Sequence, residues 1–184
     1  MTKFIKFIFT LIIIAAVTFF VGRYIYKTDY LTVINNECMQ YNIDPIEILS
    51  IIKAESNFKS DAVSAKNAIG LMQITPETAN WCAEKMGMGA VSQSDLYVPE
   101  INIKIGIFYY NYLMERYNNI NTAIAAYNGG MGNVDKWLKD SGYSDDGVTI
   151  KSTPYPETTR YITKINNNIK IYKLLYKELE KNEI

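Results

Sequence analysis

The first hydrophobic pattern in the chain is continuous. From Phe7 to Gly22 there is no charge, with Lys3 and Lys6 before the run and Arg23 and Lys27 after it. A membrane-spanning helix needs about 20 apolar residues, and flanking Lys and Arg side chains extend a shorter run by snorkelling. A cleaved signal peptide is the competing reading, but Val17-Thr-Phe-Phe-Val-Gly-Arg23 offers no clear small-x-small cleavage site. Residues 1–28 therefore read as an anchor in preference to a cleaved signal, with Tyr24, Tyr26 and Tyr30 suited to an interfacial belt.

Beyond the run, apolar positions recur at helical spacing. Leu31, Ile34 and Cys38 share a stripe over Leu31 to Tyr41, and Asn42-Ile43 breaks it. Asp44-Pro45-Ile46-Glu47 combines an N-cap, a first-turn proline and a capping-box acid. The following helix carries Ile48, Leu49, Ile51 and Ile52, apolar on more than one face, and so reads as central and buried. Thr75-Pro76-Glu77 starts a helix to about Met86, and Pro99-Glu100 opens one over Asn102 to Tyr117 with Ile101, Ile105, Phe108 and Tyr112 as its core stripe. Asn121 is expected to cap a short helix, Thr122 to Tyr127, ended by Asn128-Gly129-Gly130. A further short helix is expected over Val134 to Leu138, with Trp137 in the core. Thr153-Pro-Tyr-Pro-Glu157 leads into a terminal helix with Ile165, Ile169, Tyr172 and Tyr176 at helical spacing. The whole predicts an all-α domain over residues 29–184, with neither repeats nor a low-complexity linker.

Charge narrows the partners. The chain has 19 basic and 19 acidic residues. Four basic residues precede the first acid, Asp29, which leaves 15 against 19 in residues 29–184, a net of −4. Such a domain lacks the basic footprint of a nucleic-acid binder. There is no histidine, which excludes Ser-His and Cys-His catalysis and the commonest metal ligand. Two cysteines are too few for a zinc site or a disulfide framework; Cys38 and Cys82 either pair once or stay as separate thiols. Asp145-Asp146-Gly147 lacks the alternating acids of a calcium loop. No metal or cofactor is implied.

Against that background one acid stands out. Glu55 falls in the last turn of the central helix, where the negative end of the helix dipole disfavours ionisation. Burial acts in the same direction, so the proton is retained toward neutral pH, as a general acid requires. On its own the pattern also fits an exposed helix-end acid. Further along, Gly70 permits close backbone approach, and Gln73 sets an amide beside apolar Leu71 and Met72, suited either to sugar recognition or to a core bond. Gly129 and Gly130 bring backbone and the Tyr127 hydroxyl near any groove occupant.

Five motifs then occur in order: Ala54-Glu55-Ser56-Asn57-Phe58, Gly70-Leu71-Met72-Gln73, Asn102-Ile103-x-x-Gly106-x-x-Tyr109, Ala126-Tyr127-Asn128-Gly129-Gly130 and Glu157-Thr158-x-x-Tyr161-Ile162. Together they resemble the catalytic domain of the soluble-type lytic transglycosylases, relatives of goose-type lysozymes, over about Asp44 to Tyr172. The resemblance implies a lysozyme-like all-α fold with a groove for peptidoglycan glycan strands. It implies Glu55 as the sole catalytic acid/base, with Ser64, Gln73, Tyr127 and Glu157 at groove positions and Asn128 and Tyr161 at motif positions. It further implies a lyase that cuts between N-acetylmuramic acid and N-acetylglucosamine and leaves a 1,6-anhydro end. A hydrolase of the same fold, with Glu157 or Asp61 positioning water, and an inactive wall-binding protein are the alternatives. The chain departs from the usual pattern at Thr75, Gly129 and Thr159, where Met, Ala and Arg are frequent. A membrane-anchored domain on the outer face of a bacterial cell membrane is the expected location, with secretion as the alternative.

Overall fold

The computed structural model describes residues 2–179. Eight α-helices follow in order: α1 (Thr2–Ile25), α2 (Leu31–Tyr41), α3 (Pro45–Glu55), α4 (Pro76–Lys85), α5 (Pro99–Tyr117), α6 (Ile120–Gly129), α7 (Met131–Trp137) and α8 (Pro156–Leu175). Short 3-10 turns lie at Ser94–Tyr97 and Lys177–Leu179. Among the described residues the only β pairing is two isolated bridges, Val63–Ile69 and Ile69–Ile74, inside the loop between α3 and α4.

Helix α3 is the centre of the packing. Asp44 accepts a hydrogen bond from the Ile46 amide at 2.9 Å and Pro45 fills the first turn, so the N-terminus forms as expected. Ile46, Ile48, Leu49, Ser50, Ile51 and Ile52 are all buried. Each such aliphatic side chain contributes roughly 1.5–3 kcal/mol on leaving water. The main partner of α3 is α8, which also packs on α6, while α5 packs on α6 and α2.

Three local expectations change. Asn119, not Asn121, caps α6: its side-chain oxygen accepts from the Thr122 amide at 3.1 Å. Asn121 instead accepts from the Asn166 side chain on α8 at 2.8 Å. Helix α7 begins at Met131, earlier than expected, because Gly130 takes φ 83° and turns the chain at once. The expected stripe on α5 is one edge of a wider buried surface that includes Asn102, Ile103, Gly106, Ile107, Tyr110 and Leu113, because α5 is covered from several sides. Cys38 and Cys82 are unpaired and buried, and burial pushes both thiols up to about 12, which leaves them unreactive.

Candidate active site

The site is built where α3 stops. Ser56 leaves helical geometry, and its hydroxyl reaches the Leu71 carbonyl at 2.8 Å, joining the helix end to the following loop. Asn57 and Phe58 then adopt φ 52° and 65°. Left-handed backbone costs about 1–2 kcal/mol per non-glycine residue. That cost is sustained here by the packing of Phe58, which is buried.

The loop that faces this helix end is held from α5. Asn102 is fully buried; its Oδ1 accepts from the Met72 amide, and its Nδ2 donates to the Ile69 and Leu96 carbonyls, each at 2.8 Å. Gly70 takes φ 78°, and a Cβ there would collide with the Asn102 side chain and the Leu96 carbonyl. Gly106 on α5 is equally constrained, since a Cβ would strike Met72. Gln73 closes the loop at φ 50°, with Nε2 donating to the Ala62 and Gly70 carbonyls at 3.1 and 3.0 Å. These two acceptors fix the orientation of the amide.

Glu55 is half-buried, and Tyr161 of α8 donates its hydroxyl to Glu55 Oε1 at 2.5 Å. Burial raises the Glu55 carboxyl from 4.5 to about 7. The Tyr161 hydrogen bond and the Lys164 ammonium oppose the rise, and Glu157 adds to it. Lys164 donates to the Ala54 carbonyl at 2.7 Å, at the same helix end. A carboxyl near 7 is populated in both protonation states at neutral pH, as a group that must give and then take a proton requires. Among the acids of the described residues, Glu157 is the one whose charge acts on Glu55. Asp44 caps the opposite end of α3, about 16 Å away at 1.5 Å per residue.

Of the remaining expected residues, Gln73, Tyr127, Asn128 and Glu157 line two adjoining clefts, and Ser64 lines neither. One, of about 290 Å³, is lined by Gln73, Thr75, Tyr109, Tyr127, Asn128 and Gly130. The other, of about 610 Å³, is lined by Lys66, Asn128, Asn133, Tyr155, Glu157 and Arg160. Asn128 is shared by both, and its Oδ1 accepts from Thr158 Oγ1 at 2.8 Å. Tyr127 stands close enough to Glu55 to feel its charge. Its hydroxyl, expected to face the groove, instead donates to the Met72 carbonyl at 2.8 Å, so the ring rather than the hydroxyl is what Tyr127 presents. Ser64 is exposed, and its Oγ accepts from the Ala68 amide at 3.0 Å within the loop.

Sequence reasoning gave Tyr161 no definite task and passed over Lys164. The signal for Tyr161 was available, since it lies four residues before Ile165 on the buried stripe of α8. No comparable signal marks Lys164, one exposed lysine among several on that helix.

The fold is that of solved lytic transglycosylases. Residues equal to 85% of this chain superpose on 26% of an inactive mutant of lytic transglycosylase Slt from Pseudomonas aeruginosa, with a TM-score of 0.73 at 29% identity. The 70 kDa soluble lytic transglycosylase of Escherichia coli superposes with the same TM-score, 0.73, at 26% identity. Sequence agrees: the chain is 36% identical to the soluble lytic murein transglycosylase of E. coli K12 over 120 residues, 64% of this chain and 19% of that protein. It is 32% identical to membrane-bound lytic murein transglycosylase C of Edwardsiella ictaluri over 166 residues, 78% of this chain and 46% of that protein. The chain thus spans less than half the length of these relatives. Residues 32–149 match the Transglycosylase SLT domain, and the chain belongs to that family.

Proposed function

We propose that this chain is a membrane-anchored lytic transglycosylase that cuts the glycan strands of peptidoglycan, with residues 1–28 as anchor and 29–184 as catalytic domain. Glu55 carries the reading: one half-buried carboxyl near 7, at a helix end, within electrostatic reach of Tyr127 and Glu157, which line the two clefts.

Protonated Glu55 donates its proton to the glycosidic oxygen between N-acetylmuramic acid and N-acetylglucosamine. The C1–O bond breaks, and the acetamido oxygen of the muramic residue stabilises the anomeric carbon. Carboxylate Glu55 then takes the proton of that residue's 6-hydroxyl as its oxygen closes on C1. The product is a 1,6-anhydro ether, and Glu55 ends protonated as it began, with no water consumed. Tyr161 stabilises and aims the carboxylate between the two transfers. Most glycosidases need two flanking carboxylates; among the described residues the exposed Glu157 is the one acid whose charge reaches Glu55, so the single-acid scheme fits better than a hydrolase. Gln73, Tyr127 and Asn128 are the proposed sugar contacts near the acid, with Ser64 and Glu157 further out.

The apolar helix α1 is long enough to cross a bilayer and is wholly exposed along its hydrophobic window. An anchor there would hold the catalytic domain outside the membrane.

The test is digestion of purified peptidoglycan by the full chain in detergent, followed by mass spectrometry of the soluble muropeptides. Anhydro ends support the reading, and reducible ends heavier by one water replace it with hydrolysis. Binding without release by the wild-type chain would overturn both.

A further inference from the structure

We infer that the anchor is locked to the catalytic domain by a clasp at the end of α8, and that the same end of α8 rests on the lipid surface, so that Glu55 works at one fixed height above the bilayer. The inference rests on α1 being a membrane anchor and goes beyond the activity proposed for the domain.

The clasp consists of contacts between α1's last turn and two helices of the domain. The single Tyr176 hydroxyl proton is shared between the Tyr26 and Arg23 carbonyls, at 2.7 and 3.1 Å, and Tyr172 donates to the Lys27 carbonyl at 2.8 Å. These are carbonyls at and just beyond the C-terminus of α1, where helices leave acceptors without intrahelical partners. Arg23 returns the contact: its guanidinium lies 4.1 Å from the centre of the Tyr176 ring and reaches the Leu175 carbonyl at the C-terminus of α8 at 3.5 Å. The Tyr26 and Tyr172 rings meet edge to face at 5.3 Å. Gly22 sits directly against Leu175, where a Cβ would come within 3.1 Å of the leucine's methyl carbon. A flexible tether needs none of this.

A second strand of the clasp leads to the catalytic helix. Lys53 of α3 donates to the Ile25 carbonyl at 2.7 Å and lies 5.2 Å from the centre of the Tyr26 ring, and it also bonds the Asn57 side chain. Glu55 stands two residues, ~3 Å of helix rise, beyond that lysine. The end of the anchor and the end of the catalytic helix are thus joined through one side chain.

The lipid contact follows from depth. Helix α1 has 24 residues, roughly 36 Å at 1.5 Å per residue, against a hydrocarbon core of about 30 Å. Gly22 and Arg23 therefore lie at the interface, and so does Leu175, which touches Gly22. Beside it Leu174 is 69% exposed, an aliphatic side chain that the domain itself does not cover. Tyr24, 80% exposed, lies at the same level, in the zone where aromatic rings favour headgroups. The bilayer is the surface that covers both.

The full chain in phospholipid nanodiscs tests this with nitroxide labels. A label at Leu174→Cys is expected to collide more with lipid-soluble oxygen than with a water-soluble nickel chelate, and a label at Val63→Cys to show the reverse. A label at position 174 as exposed to nickel as that at position 63 would overturn the lipid contact. A pair at Phe9→Cys and Val63→Cys is expected to give one narrow distance distribution, lost when Arg23→Ala, Tyr172→Phe and Tyr176→Phe are combined. A broad distribution in the chain with all three residues intact would overturn the clasp, as would a narrow one that survives the triple variant. A chain that leaves the nanodisc altogether would overturn the anchor reading itself, independently of whether the domain cuts peptidoglycan.

Discussion

Tyr161 donates its hydroxyl to Glu55 across 2.5 Å, from a helix 106 residues further along the chain. This bond ties α8 to the end of α3, and it acts on the charge of Glu55 against the effect of burial. A hydrogen bond to the charged form favours ionisation, whereas burial favours the neutral acid. The balance between them sets the Glu55 carboxyl at about 7.

Tyr161→Phe removes the opposing contribution and leaves burial. The Glu55 proton is then held to still higher pH, so the falling limb of activity should move upward in pH. The rate at the optimum should drop about 10-fold, a loss of roughly 1.4 kcal/mol in the transition state, because the carboxylate loses the donor that aims it. A pH–rate profile of peptidoglycan release checks both. A lower rate with an unmoved limb would reduce Tyr161 to packing.

Glu55 also predicts a pH dependence of stability. Its folded value, about 7, lies above the ordinary 4.5, so between these values the folded state binds more protons than the unfolded one. Stability therefore falls as pH rises through this window, by up to about 3 kcal/mol once pH exceeds 7. Glu55→Gln removes that penalty. The variant should match the wild type in urea denaturation near pH 4, exceed it at pH 8, and release no muropeptides at either pH. Equal stabilities at pH 8 would show that the acid is not held in its neutral form.

Much of this arrangement was legible in the sequence. The caps at Asp44 and Thr75, the buried run from Ile48 to Ile52 and the acid at its end follow from local rules, and the structure keeps them. What escaped is long-range: Tyr127 turns its hydroxyl to the Met72 carbonyl, Asn121 is taken by Asn166, and Tyr161 finds Glu55. Each partner lies at least 45 residues away in the chain, and periodicity carries no record of such pairings. The clasp on α1 escaped for the same reason, since the sequence shows only a helical spacing at Tyr172 and Tyr176.

Asn102→Leu tests the frame under the groove. The substitution removes three hydrogen bonds and strands the Met72 amide and the Leu96 carbonyl in the interior, while the Ile69 carbonyl keeps its bond from the Ile74 amide at 3.1 Å. A buried group left without its partner costs about 1–3 kcal/mol, so a loss of roughly 3–5 kcal/mol is expected by chemical denaturation. Gln73 should be displaced with the loop, and activity should fall more steeply than the folded fraction. A loss below about 1 kcal/mol would mean that these groups find other partners.

Ser50 gives the opposite sign. Its hydroxyl is buried without a hydrogen-bond partner, in the interface where α3 meets α8, while its own carbonyl accepts from the Asn168 side chain at 3.1 Å. The unpartnered hydroxyl has lost its water and gained nothing in return. Ser50→Ala keeps the backbone bond, favours the helix slightly, and leaves a void no larger than one oxygen. It should stabilise the domain by about 1 kcal/mol with the rate of peptidoglycan release unchanged, as read by denaturation and by turnover on the same preparation. If stability falls instead, the hydroxyl has a partner in solution, and the α3–α8 interface is wetter than its packing implies.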